Sequence, residues 1–233
     1  MLDAQQFHDS GFICVSQWLE KNGLTKLKHF FESAALDVAR DEGVLTDEMR
    51  QSPLSILELL QEQCPQVARA VRRKLIIQAG YTPPDFILGA WAPQLAVLLG
   101  VSAVELSLSL VSVNSPSGAL VPDGVTGWHQ DFQGAGRLGI WVPLMDSTPE
   151  NGCLRFIPRM TDPLPHRRLP ADPRDLALIE DDDLVGVPVD APCPAGGAVL
   201  FDTMTPHSTH PNVTATSRWA LVVWVRPIEE PVA

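Results

Sequence analysis

His129 and Asp131 stand two residues apart within Gly127-Trp128-His129-Gln130-Asp131-Phe132, and His207 and Arg218 follow far downstream. Read as β-strand, this segment puts positions i and i+2 on one face. Imidazole and carboxylate then project together, as two ligands of one ion require. His207, from a second strand, can supply the third. Two histidines and one carboxylate on one side of a metal leave the opposite positions open, the arrangement of non-haem Fe(II) oxygenases.

A His-x-Asp pair is common by chance, and its plainest meaning is a hydrogen-bonded histidine beside a surface aspartate. Arg218 changes the balance. It lies eleven residues beyond His207 and opens the apolar run Trp219-Ala220-Leu221-Val222-Val223-Trp224. An arginine facing inward from such a strand is costly without a partner. 2-Oxoglutarate would chelate the metal through its 1-carboxylate and 2-keto oxygen. Its distal carboxylate then needs a cation, and a guanidinium grips it with two parallel hydrogen bonds.

The elements that must position these side chains read as helices first and strands second. Leu27, Phe30, Phe31, Ala34 and Ala35 recur at helical spacing over residues 25–40, and residues 53–62, 65–79 and 85–99 look similar. Pro53 and Pro65 suit first-turn positions; Gly80 and Gly100 suit C-caps. A short helix, a strand at Phe12-Ile13-Cys14-Val15 and a second helix start precede them, over residues 3–22. From residue 104 the pattern changes. Leu106 to Val113 alternates as a half-buried strand, and further strands are expected near 127–133, 138–146, 153–159, 185–190, 197–204 and 218–226. Asn151-Gly152 reads as a hairpin turn. A Pro-, Arg- and Asp-rich insertion, 161–184, interrupts the strands, with a short helix expected near 172–179. The fold class is α+β.

The 233 residues carry a net charge of −11, with 45% hydrophobic and 19% charged residues. These values fit one globular domain, 1–233, with a mostly helical portion at 1–103 and a strand-rich core at 104–227. No basic stripe suggests a nucleic-acid partner. Cys14, Cys64, Cys153 and Cys193 are widely spaced, with no CxxC pair, so free thiols in a reducing compartment are expected. The N-terminus lacks the basic and apolar runs of a secretory leader, and no apolar stretch is long enough to span a bilayer. A soluble cytoplasmic protein follows as the expectation. Glu180-Asp181-Asp182-Asp183 lacks the spacing of a calcium loop and reads as a solvated turn.

Trp128-His129-Gln130-Asp131, Trp141, Glu150-Asn151-Gly152-Cys153-Leu154 with Ile157-Pro158, His207-Ser208-Thr209 with Asn212, and Arg218 together resemble the phytanoyl-CoA dioxygenase family. The resemblance covers roughly residues 105–227. It implies a double-stranded β-helix, or jelly roll, with the helical half packed against it. It implies Fe(II) held by His129, Asp131 and His207, with 2-oxoglutarate as cosubstrate, dioxygen as oxidant and ascorbate as accessory reductant. Arg218, assisted by the Thr209 hydroxyl, would hold the distal carboxylate, Gln130 and Trp141 would line the pocket, and Asn212 would fix the loop after His207. The spacing to Asn212 and Arg218 selects His207 over His210; His166 and His8 fall outside the ligand set.

Two departures stand out. Where relatives often continue into Pro-Gly-Ser-His, this chain reads Pro158-Arg159-Met160-Thr161, and only twelve residues separate His129 from Trp141. Asp131 occupies the position that halogenating relatives replace with Gly or Ala, so hydroxylation of a small organic substrate is expected. Desaturation, epimerisation or cyclisation on the same iron, and a cupin-like metal-binding barrel, are the alternatives. Neither substrate identity nor oligomeric state is legible.

Overall fold

The computed structural model describes residues 1–20, 22–63, 66–68, 70–71, 74, 85–116, 127–131, 137–168 and 177–228. In chain order these form α1 (Ala4–Ser10), β1 (Phe12–Val15), α2 (Gly23–Asp41), α3 (Asp47–Gln51), α4 (Ile56–Gln63), α5 (Ala92–Leu99), β2 (Val104–Asn114), β3 (Leu138–Pro143), β4 (Leu154–Phe156), β5 (Arg167–Arg168), β6 (Ala177–Leu178), β7 (Val189–Ala191), β8 (Ala198–Asp202), β9 (His207–Thr209) and β10 (Arg218–Pro227). Local chemistry sets several ends. Asp3 accepts from the Gln6 N–H at the start of α1, Thr46 accepts from Met49 at the start of α3, and Gly100 closes α5 in the left-handed region.

Five strands form an antiparallel sheet in the order β1-β8-β3-β10-β2, and three form a smaller antiparallel sheet, β7-β4-β9. The period of two along β10 explains how the larger sheet is used. Trp219, Leu221, Val223 and Val225 face the helices and pack with Leu27, Phe31, Met49, Ile56 and Leu95. Ala220, Val222 and Trp224 face the other way, into a second core that Leu154, Phe156 and Ala191 enter from the small sheet. The two sheets thus enclose a jelly-roll interior, and the helical half covers the outside of the larger one.

The strand at 104–114 keeps its half-buried alternation: Ser109, Val111 and Val113 share one nearly inaccessible face, while Leu110 and Ser112 on the other are partly exposed and line the interior cavity. Other expectations need correction. Trp128 to Asp131 is not a ladder strand. His129 forms an isolated bridge with His207, and the Asp131 N–H reaches the Thr203 carbonyl. Asn151-Gly152 ends a short 3-10 turn closed by Thr148 rather than a two-residue hairpin. Residues 85–91 form two 3-10 turns ahead of α5, and Ala177–Leu178, within the helix expected near 172–179, is strand, the 172–176 part lying outside the described residues. Most of the expected helix at 65–79, Gly80, and the 132–133 end of the ligand segment lie outside the described residues. Among the described residues, no helix is long and apolar enough to cross a membrane.

Candidate metal centre

His129 and His207 face each other across their bridge, each N–H bonding to the other's carbonyl at 3.0 Å. His129 Nε2 lies 3.3 Å from Asp131 Oδ1, and His207 Nε2 lies 3.5 Å from the same oxygen. The three ligand atoms all fall within 4.8 Å of one another. Metal–ligand bonds of about 2.0–2.2 Å require separations of roughly 3–3.5 Å between adjacent ligand atoms, so the three side chains fit a single ion.

The same device fixes both imidazoles. Each Nδ1 lies within hydrogen-bonding distance of the carbonyl two residues back: His129 to Gly127 at 2.9 Å, His207 to Thr205 at 3.0 Å. A carbonyl only accepts, so each Nδ1 donates to it and each Nε2 is the nitrogen left facing the site. Asp131 is fixed on its other side, where the Trp224 indole N–H donates to Oδ2 at 2.6 Å. Burial works against the charge of Asp131, but His207 and His129 outweigh it and hold the carboxyl far below its usual range.

The ligand segment is braced from the insertion. The Gln130 side chain donates to the carbonyls of Asp162 and Met204 and accepts from the Leu164 N–H. The Gln130 N–H donates to His166 Nε2, and His166 Nδ1 donates to the Leu164 carbonyl. Trp128, Ile157 and Ile179 pack with Met160, Leu164 and Leu184. Gln130 is therefore both a wall of the pocket and the peg that holds the insertion against it.

A cavity of about 450 Å³ contains the triad and is also lined by Ser112, Gln130, Trp141, Leu154, Leu178, Thr209 and Trp224. Arg218 lies on the same interior face of β10 as Val222 and Trp224, and it is 1% exposed. Its guanidinium sits over the Trp141 ring at 4.9 Å and donates to Ser112 Oγ at 3.3 Å and to the Gly152 carbonyl at 3.2 Å. Its Nε has no partner, and among the described residues no carboxylate forms an ion pair with it. Burial pulls its pKa down from the ordinary guanidinium value. A buried cation short of an anion is a fitting partner for the far carboxylate of a keto diacid.

The remaining expected residues fall as follows. Thr209 is buried and lines the cavity. Asn212 donates to the carbonyls of Asn114 and Thr216 and accepts from Thr214, spending its amide on the loop. His210 points away from the triad, to Asp190 at 2.6 Å. Sequence reasoning missed Trp224 and Ser112. Trp224 was within reach, because position 218+6 shares the face of Arg218 on a period-two strand. Ser112 could be found only from the register that pairs it with Ala220.

A family model for phytanoyl-CoA dioxygenase (PhyH) matches residues 7–220. The chain belongs to the phytanoyl-CoA dioxygenase family. This family member is 36% identical over 104 residues to phytanoyl-CoA dioxygenase domain-containing protein 1 of Danio rerio. That match takes in 39% of the chain and 35% of the relative, so the chain aligns with about a third of that protein's length. Its fold is similar to that of EvdO2 from Micromonospora carbonacea var. aurantiaca, solved in complex with 2-oxoglutarate, with a TM-score of 0.62 at 23% identity over 100% of this chain and 94% of that one. It is also similar to the epimerase SnoN, solved with Fe3+, alpha ketoglutarate and nogalamycin RO, with a TM-score of 0.55 at 16% identity over 96% of this chain and 82% of that one.

Proposed function

We propose that this member of the phytanoyl-CoA dioxygenase family is an Fe(II)- and 2-oxoglutarate-dependent oxygenase that hydroxylates an unactivated C–H bond of a small organic substrate. The observation that carries this reading is the buried Arg218, without a carboxylate partner among the described residues, in the same jelly-roll interior as two histidines and an aspartate whose ligand atoms converge. A cupin-like binding barrel has no need of that guanidinium.

His129, Asp131 and His207 would hold the iron. Arg218, with Thr209 beside the same cavity, would hold the distal carboxylate of 2-oxoglutarate, and Trp141 would cover the guanidinium face. Iron and 2-oxoglutarate together would supply the oxidising power with dioxygen, the keto acid leaving as succinate and carbon dioxide. The protein's own contribution is positioning and shielding. The Gly127 and Thr205 carbonyls hold each Nδ1 and so aim each Nε2 at the site, Trp224 turns one carboxylate oxygen of Asp131 away from the imidazoles, and apolar side chains wall the site. A residual positive charge on a divalent ion with one carboxylate suits an anionic chelator.

Purified protein with Fe(II), ascorbate and 2-oxoglutarate should form succinate, weakly without substrate and faster with it. Absence of succinate across a broad substrate panel would defeat the reading. The likeness to SnoN keeps a second outcome in view, because an epimerase on this fold leaves the substrate formula unchanged; product mass separates that from a gain of one oxygen.

A further inference from the structure

The walls of the metal-centre cavity also bear on what it accepts. Beyond the triad, its lining is dominated by Leu110, Leu154, Leu178, Phe201, Val222 and Trp224. Its polar groups are already engaged: Gln130 with the insertion and Met204, Ser112 with Arg218, and the Trp224 N–H with Asp131. No lysine or arginine lines it among the described residues. Arg155 is spent elsewhere, over the Trp128 ring and on Ser208, and Arg167 is paired with Glu180 and Asp183.

The guanidinium that contacts this lining, through Ser112 and Trp141, is Arg218, and the proposed cosubstrate would take it up. A second anion in the cavity would lose its hydration with no counter-charge to replace it, a heavy penalty for a carboxylate or phosphate. From the insertion, Leu178 closes this apolar enclosure. It sits so close over Gly127 that a β-carbon there would fall 2.9 Å from its Cδ1. Its methyl groups, not a polar cap, face the ligand segment.

Building on the oxygenase reading, we infer that the substrate is an uncharged molecule with a largely hydrocarbon surface, and not a free acid or an acyl-CoA thioester. The recognising chemistry is apolar contact with Leu110, Leu178 and Trp224, and the single anion site is reserved for 2-oxoglutarate.

The test uses protein loaded with Ni(II), which blocks turnover, and saturated with 2-oxoglutarate. Two matched pairs are titrated, 1-decanol against decanoate and cyclohexylmethanol against cyclohexanecarboxylate, with tryptophan fluorescence as readout because Trp141 and Trp224 line the cavity. The neutral member of each pair should bind at least tenfold more tightly. Equal binding, preference for the acid, or binding of neither member overturns the inference. Leu178→Lys, which places a cation in the enclosure, should shrink the gap to threefold or less; an unchanged gap means the probes bind elsewhere and also overturns it. Titration of 2-oxoglutarate into the same Ni(II) protein separates the two levels. If 2-oxoglutarate binds and the pairs behave wrongly, only the substrate class fails; if 2-oxoglutarate does not bind, the oxygenase reading fails instead.

Discussion

Trp224 donates its indole N–H to Asp131 Oδ2 at 2.6 Å, while Asp131 Oδ1 faces the Nε2 atoms of His129 and His207 at 3.3 and 3.5 Å. One carboxylate oxygen is thus tied to the jelly-roll wall and the other is left for a metal. The expected result of Trp224→Phe is a metal affinity about 10–100-fold lower, the usual scale for losing a hydrogen bond to a ligand. Titration calorimetry with Co(II) measures this directly. An affinity within twofold of the parent would show that Asp131 needs no such tether.

Arg218 gives a prediction with two signs. Arg218→Ala should weaken 2-oxoglutarate binding by roughly 1.5–3 kcal/mol, the scale of a hydrogen bond to a charged group. Without 2-oxoglutarate the direction reverses. The buried guanidinium has an Nε without a partner and no ion pair among the described residues, so Arg218→Met should raise the melting temperature of ligand-free protein. A gain of about 1 kcal/mol would appear as about 2–4 °C for a chain of this size. Saturating 2-oxoglutarate should stabilise the parent and leave the variant unmoved. A variant that melts lower in both conditions would show that Arg218 is mainly structural.

The insertion should come loose from one imidazole. His166 accepts from the Gln130 N–H and donates to Leu164, so His166→Phe removes both links while keeping a ring of similar bulk. Limited trypsin digestion should then cut faster at Arg167 and Arg168, with little change in the melting temperature of the rest, as expected for a locally weakened segment. Unaltered cutting would mean that the apolar cluster around Trp128 holds the insertion alone.

Gly152 should tolerate no side chain. Its φ is +92°, and a β-carbon would fall 1.9 Å from Asn114 Nδ2. Its carbonyl also takes a hydrogen bond from Arg218. Gly152→Ala should cost at least about 1–3 kcal/mol of stability from the backbone alone and weaken 2-oxoglutarate binding in parallel. Chemical denaturation and ligand titration report the two effects separately.

Cys153 and Cys193 provide a check on the packing itself. Burial pushes both thiols up to about 12, which leaves almost no thiolate at pH 8. Native protein treated with iodoacetamide at that pH should leave both unmodified, and denatured protein should not, as peptide mass spectrometry would show.

The chemistry-bearing residues were legible in the sequence because their requirements are local. A metal needs particular donor atoms, and a distal carboxylate needs a guanidinium, so His129, Asp131, His207 and Arg218 stand out as candidates by type and order. The strands from 138 onward were legible for a similar reason, since most are short apolar runs bounded by turn residues. The segment around His129 was misread as a ladder strand because its extended shape does not come from its own pattern. It is held by one bridge to His207 and by the insertion through Gln130 and His166.

The sequence alone pointed to the candidate donor set and the fold class, because side-chain chemistry and local patterning act within a few residues. Only the tertiary structure decided that Trp224 restrains Asp131, and that Arg218 is buried with no ion pair among the described residues. Those relationships depend on register and burial between segments up to about a hundred residues apart, and no local pattern encodes a distance across a barrel.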